Sequence, residues 1–304
     1  MNMKDNINLD EINTEQRNPL TMHIDEESTE GIIRLMNSED SKVAVAVEKE
    51  TPNIVKAVDL ITVSIRSGGR LIYCGCGTSG RLGILDAVEC LPTFRADSTV
   101  VDAFMAGGNN ALFKAVEHAE DNKELAVEDM KAKNFSDKDI LCGIAASGRT
   151  PYVIGAMEYA KSLGAKVIGV TCSKGSEIDR LADIGIAPQL GGEVVTGSTR
   201  LKSGTAQKMI LNMLSTATMI KLGKVYQNLM VDVKATNNKL VERCIRIVME
   251  ATGTDRENAL KSLEECNFSA KTAIVMILCG VDADEAENLL NSNYGRISDI
   301  LKKE

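Results

Sequence analysis

The chain has 304 residues, 44% hydrophobic and 26% charged, enough for one large domain with appendages or two modest ones. Its formal net charge of −8 argues against a nucleic-acid surface, and 3% aromatics with no tryptophan leave no platform for stacking bases. No apolar run approaches the ~20 residues that span a bilayer, so no membrane partner is expected. The polar start Met1-Asn2-Met3-Lys4-Asp5-Asn6 has no signal core behind it, and the scattered cysteines read as buried free thiols. Both point to a reducing cytoplasm. Cys74 and Cys76 have no second pair or His cluster to complete a zinc site, so no metal is expected.

Residues 1–25 read as irregular. Ser28-Thr29-Glu30 opens a helix with Ile32, Ile33, Leu35 and Met36 as its stripe, and a second helix is predicted from about 40 to 67, interrupted near Pro52. Gly68-Gly69 stops it. Predicted strands at 70–75, 98–104, 139–145, 166–171 and 184–188 then alternate with helices at 79–87, 109–119, 122–132, 151–163 and 176–182. Short connections between them imply a doubly wound parallel α/β sheet. Segment 203–222 has the periodicity of a core-facing helix. After Asn237 come short amphipathic helices at 239–251, 255–266, 269–279 and 283–291, with Asp255 and Asp282 as caps.

Two serine-rich turns carry the first chemical signal. Gly77-Thr78-Ser79-Gly80-Arg81 and Ala146-Ser147-Gly148-Arg149-Thr150 each follow a strand and lead into a helix. Such a turn cradles phosphate through backbone N–H groups, hydroxyls and the helix N-terminus. Ser79, Ser147 and Thr150 offer hydroxyls; Thr78, Gly80 and Gly148 offer backbone donors. The plainer reading of either turn is a helix cap. Two of them on one alternating sheet favour a ligand site at the strand ends. No P-loop spacing is present, and Gly75, Gly77 and Gly80 match a dinucleotide fingerprint without the acidic residue that would hold a ribose. A third polar run, Glu193 to Gly204, places Ser198, Thr199 and Lys202 before the 203–222 helix as further candidate donors. Its plainer reading is a surface loop.

Two carboxylates stand out. Glu89 lies among apolar neighbours at the end of the helix launched by the first turn, a setting that raises a carboxyl pKa. Glu120 lies in a charged segment and reads, by itself, as a solvated helix end.

The runs Thr14-Glu15-Gln16-Arg17-Asn18-Pro19, Gly77–Gly83, Gly143–Tyr152, Thr196–Lys208 and Asn228-Leu229-Met230-Val231-Asp232-Val233 closely resemble the N-acetylmuramic acid 6-phosphate etherase family, over nearly the whole chain. The resemblance implies a sugar isomerase (SIS) fold, a flavodoxin-like α/β sandwich, with N-terminal helices over 1–57, the SIS domain over 58–236 and a ubiquitin-associated-like helical module over 237–304. It implies removal of a D-lactyl ether from a phosphorylated amino sugar, giving N-acetylglucosamine 6-phosphate and D-lactate in cell-wall sugar recycling, with no cofactor. It makes Glu89 the acid that protonates lactate and later activates water, and Glu120 the base at C2, reversing the reading of Glu120 from its neighbours alone. It also implies a homodimer. The remaining alternatives are another SIS phosphosugar isomerase and a non-catalytic phosphosugar-binding regulator. The chain departs from the family pattern at Val88, where Ser is common, at Leu91, where Pro is usual, and at His118, where Gly is usual. Asn109-Asn110 stands for a more acidic pair.

Overall fold

A computed structural model describes residues 13–302 apart from 115, 117, 234 and 236. Two compact units make up these residues: the chain up to Ala87 with Val100–Leu214, and Val88–Thr99 with Ser215 onward.

In the first unit, α1 (Thr29–Glu48) is capped by Ser28, whose hydroxyl accepts from the Gly31 amide at 3.1 Å. The break expected before residue 40 does not occur, because Asn37, Ser38, Asp40 and Ser41 all lie on the exposed face of one continuous helix. The helix instead ends at Lys49-Glu50. Pro52 sits in the first turn of α2 (Thr51–Arg66), where a missing N–H costs no helical bond.

The sheet follows: β1 (Leu71–Gly75), α3 (Gly77–Phe94), β2 (Val101–Met105), α4 (Asn110–Phe113), α5 (Lys123–Ala132), β3 (Ile140–Ile144), α6 (Pro151–Ser162), β4 (Lys166–Val170), α7 (Glu177–Leu181), β5 (Ile184–Ile186) and α8 (Lys202–Lys221). All pairings are parallel, in the order β2-β1-β3-β4-β5. Every residue of β1 and β3 is buried, as strands become when helices cover both faces. Ile72, Phe104, Leu141, Tyr152, Val153 and Met157 belong to one core cluster, with the Phe104 and Tyr152 rings edge-on at 6.2 Å. The buried Tyr73 hydroxyl donates to Asp86 at 2.9 Å, and the Asn212 amide donates to the other Asp86 oxygen at 2.6 Å. These buried polar groups are therefore paired across the core.

One predicted helix is largely absent. Among its described residues the segment 109–119 forms the single turn α4, becomes extended at Lys114 and turns left-handed at His118 (φ 63°), and a 3-10 turn follows at Ala119–Asp121. Phe113 is 89% exposed. Tertiary bonds take the place of helical ones. The Arg81 guanidinium donates to the carbonyls of Ala111 (2.7 Å) and Leu112 (3.0 Å) and fixes the segment.

The second unit contains a small hairpin, β6 (Val225–Tyr226) and β7 (Leu229–Met230), then α9 (Asn238–Thr252), α10 (Arg256–Glu265), α11 (Ala270–Cys279), α12 (Ala283–Ser292) and α13 (Ile297–Leu301). The hairpin and α13 lie outside the sequence expectations. Asp255 and Asp282 cap α10 and α12 as expected, accepting from Asn258 and Glu285 amides at 2.9 Å. Gly253 and Gly280 end α9 and α11 in the left-handed conformation. Cys244, Val248, Leu263, Ala273, Val275 and Leu290 help form a separate core. Among the described residues no helix is long and apolar enough to cross a membrane.

Candidate active site

The strand order reverses direction between β1 and β3, so the two serine-rich turns flank the switch point of the sheet. Gly75, the last residue of β1, pairs with Ile144, the last of β3. A crevice outside those strand ends is where open α/β sheets bind ligands. The two turns therefore follow the paired ends of neighbouring strands.

In the first turn the glycines serve close packing. A Cβ on Gly75 would lie 2.7 Å from the Gly80 nitrogen, and one on Gly80 would lie 2.7 Å from both the Gly75 oxygen and the Met105 Cβ. The Gly80 amide, a candidate ligand donor from sequence, donates instead to the Cys76 carbonyl at 3.1 Å. Among the described residues the amides of Gly77, Thr78 and Ser79 have no acceptor, as the first N–H groups of a helix do. They are the open N–H groups at the start of α3. The Ser79 hydroxyl is buried and donates to Gln207 Oε1 at 2.9 Å.

The second turn follows the same logic. The Gly148 amide donates to Ala145 at 3.0 Å, and its φ of +68° suits glycine. A Cβ there would lie 2.0 Å from Ser176 Oγ and 2.7 Å from Thr171 Oγ1. The turn is pinned from the next strand: Thr171 Oγ1 and the Cys172 amide both donate to the Ala146 carbonyl, at 3.1 and 2.9 Å. The amides of Ser147, Arg149 and Thr150 donate to no described residue. Thr150 occupies the N-cap of α6 without making a side-chain cap bond, so its hydroxyl is not committed to the helix.

The third polar run divides. A Cβ on Gly204 would lie 3.5 Å from Thr78 Cγ2 and 3.6 Å from the Thr199 carbonyl, which puts Thr199 and the start of α8 beside the first turn. Ser198 and Thr199 are half-buried, with hydroxyls that bond to no described residue. Lys202 is a different matter. It is 1% exposed, and its ammonium donates to Glu39 at 2.6 Å and to the Leu190 carbonyl at 3.0 Å. The expectation that Lys202 meets a ligand is corrected: its charge is neutralised inside the protein. The amides of Lys202 and Ser203 donate to the buried Glu193 carboxylate, both at 2.9 Å, so α8 presents no free N-terminus to an anion.

Glu120 reaches the site. A cavity of about 250 Å³ is lined by residues that include Cys76 and Gly77 from the first turn, Arg81, Lys114 and Glu120. The carboxylate is exposed at the strand ends of β1 and β2, and not on the helix end expected from sequence. Burial, with the Glu120 charge adding to it, pushes the Cys76 thiol up to about 12, so the sulfur is a neutral wall at pH 7. Glu89 lies on the last third of α3 in the other unit, and its side chain is exposed where apolar surroundings were expected. Among the described residues no group of three or more His, Cys, Asp or Glu is placed to hold a metal.

Residues 53–161 match the glucokinase regulatory protein N-terminal SIS domain, and residues 114–217 match the SIS domain. A candidate phosphosugar isomerase involved in capsule formation from Bacteroides fragilis shares the fold, at TM-score 0.50 and 23% identity over 65% of this chain and 94% of its own. Over 298 residues the chain is 56% identical to an N-acetylmuramic acid 6-phosphate etherase from Clostridium botulinum (strain Okra, type B1), covering 98% of this chain and 99% of that relative. It is 55% identical over 294 residues to one from Clostridioides difficile (strain 630), covering 97% of each. The chain belongs to the N-acetylmuramic acid 6-phosphate etherase family.

Two motifs that carried the etherase resemblance have structural roles. In Asn228–Val233, Val231 and Val233 are buried in the core of the second unit, while Asp232 pairs with Lys224 at 2.8 Å and Lys271 at 2.6 Å. In Thr14–Pro19, the Asn18 side chain donates to the Gly192 carbonyl at 3.2 Å and helps hold the loop before α8. The departure at His118 also has a physical consequence. Its φ of 63° is the left-handed region that suits glycine, and a side chain there costs about 1–2 kcal/mol.

Proposed function

We infer that this chain cleaves the D-lactyl ether of N-acetylmuramic acid 6-phosphate, giving N-acetylglucosamine 6-phosphate and D-lactate. Near-full-length identity to etherases carries this reading over a phosphosugar isomerase or a non-catalytic regulator. The amides of Thr78, Ser79, Ser147, Arg149 and Thr150 and the hydroxyls of Thr78, Ser147 and Thr150, with Ser198 and Thr199 beside them, hold the phosphorylated sugar at the switch point. Ring opening makes C1 an aldehyde and the C2 hydrogen acidic. Glu120 takes that proton, the C3–O bond breaks, and the electron pair leaves with lactate, which receives a proton from Glu89. Water then adds at C3, giving a proton to Glu89, while Glu120 returns its proton to C2. None of these steps needs a metal or an organic cofactor. All eight cysteines are free, in keeping with a cytoplasmic setting.

The test is release of D-lactate from the purified protein in deuterated water, with deuterium appearing at C2 of the product. No lactate would defeat the reading. In Glu89→Gln the sugar still binds and C2 still exchanges, while lactate release falls by about 10²–10⁴. Wild-type turnover in that variant would remove Glu89 from the mechanism.

The working form is proposed to be a homodimer. Val88 and Leu91 expose apolar side chains at three-residue spacing along α3, on the helix that carries Glu89. A second copy is the partner suited to cover such a stripe. Light scattering should give twice the chain mass; a fully active monomer would contradict it.

A further inference from the structure

The substrate of the reaction proposed above carries two anionic groups, and the serine-rich turns account for only the phosphate. The lactyl carboxylate lies two bonds beyond the ether oxygen on C3, next to the carbon that Glu120 deprotonates. It must therefore fall inside or at the mouth of the cavity that Glu120 lines. The volume, about 250 Å³, is smaller than the ~300–1,000 Å³ of whole-ligand pockets, which suits the reacting edge of the sugar and its substituent.

Two cations line that cavity. Arg81 is committed, with its guanidinium donating to the Ala111 and Leu112 carbonyls. Lys114 is not: among the described residues its ammonium has no hydrogen-bond or ion-pair partner, Glu120 included. Its position is set by the same contacts. Arg81 anchors the α4 turn, which runs up to Lys114, and the 3-10 turn at Ala119–Asp121 carries Glu120, so both charges line one cavity. A Lys114–Glu120 ion pair would occupy the base. A carboxylate brought by the ligand satisfies Lys114 and leaves Glu120 available for the C2 proton.

We propose that Lys114 is the specificity-determining residue that binds the lactyl carboxylate, so that the site distinguishes the lactylated phosphosugar from its de-lactylated product. The contact has a second effect. Negative charge builds on the leaving oxygen as the C3–O bond breaks, and an ammonium on the adjoining carboxylate lowers its cost. Once the ether is cut, the sugar product no longer has a group for Lys114 to hold.

The proposal rests on the etherase reading and is tested apart from it by comparing two ligands. Lys114→Gln should lower kcat/KM for N-acetylmuramic acid 6-phosphate by about 10- to 100-fold, the loss of one charge-assisted hydrogen bond. The inhibition constant of N-acetylglucosamine 6-phosphate, which lacks the carboxylate, should stay within about twofold of wild type. It also reports that the variant is folded. Lys114→Arg should recover most of the loss. Equal weakening of both sugars would make Lys114 a phosphate contact, and no weakening of either would remove it from recognition; both outcomes overturn the proposal. If the wild type released no lactate, the activity reading would fail by itself. The ratio of the two sugars' dissociation constants, by calorimetry on wild type and Lys114→Gln, would still decide the role of Lys114.

Discussion

Glu120→Gln should abolish deuterium exchange at C2 and, with it, lactate release, a fall of about 10²–10⁴ in kcat. The substitution keeps shape and removes the base. Because Glu120 is exposed beside the first serine-rich turn, the amide should fit without disturbing the core. Phosphosugar affinity should change little, since the proposed phosphate donors lie on the turns after β1 and β3. This separates the two carboxylates: Glu89→Gln stops after exchange, whereas Glu120→Gln never begins. Persistent exchange in Glu120→Gln would show that another group takes the C2 proton. Titration calorimetry, a deuterium wash-in assay and a lactate assay together read each step.

The second large effect concerns stability. Glu39 is 3% exposed in the middle of α1, and Lys202, at the start of α8, is 1% exposed. Glu39→Ala leaves a buried ammonium without its counter-ion and should cost about 3–5 kcal/mol in urea unfolding at neutral pH. Replacing both residues by methionine should recover most of that loss, because two apolar side chains avoid the desolvation of two ions. A loss under about 1 kcal/mol in the single variant would mean that Lys202 finds water or another acceptor. The pair also predicts a pH dependence. Burial by itself raises the Glu39 carboxyl, but hydrogen bonds from Lys202 and Lys42, the Lys202 charge and a bond from Asn18 outweigh it and hold the carboxyl below its ordinary 4.5. A depressed acid stabilises the folded state above its unfolded pKa and loses that contribution as pH falls through the folded value. Stability should therefore decline as pH drops below about 4.5, and the double methionine variant should show a smaller decline.

Much of the sheet was legible because its signals are local. β1 and β3 are continuous apolar runs, and the serine-rich turns sit at their ends; the predicted strands at 139–145 and 166–171 lie within a residue of those found at their N- and C-terminal ends. Caps such as Asp255 and Asp282 need only the amide three residues on. Where the reading missed, a distant contact had overruled a local pattern. The 109–119 segment has helical spacing, but Arg81, thirty residues earlier, takes its carbonyls. The polar stretch within α1 looked like a break, yet it is one exposed face of a helix whose other face is buried.

The candidate site shows the same division. Small hydroxyl residues after strands could be recognised from sequence, because glycine and serine are what a tight turn and a helix start require. Which atoms point outward could not. Gly80 and Gly148 looked like donors, but their amides close the turns and leave that task to their neighbours. Lys202 looked like a ligand contact until α1 placed Glu39 against it, 163 positions away in the chain.

Residue order alone determined the alternation of strand and helix, the two phosphate-type turns and the family, since each is written in short runs of side-chain type and spacing. Tertiary structure decided which charges are neutralised and which remain for chemistry. Lys202 and Arg81 are consumed by partners within the fold, while Lys114 and Glu120 come to line one cavity. The physical reason is that a charge is stabilised by whatever lies within a few ångströms of it, and those neighbours are chosen by packing, whatever their separation along the chain.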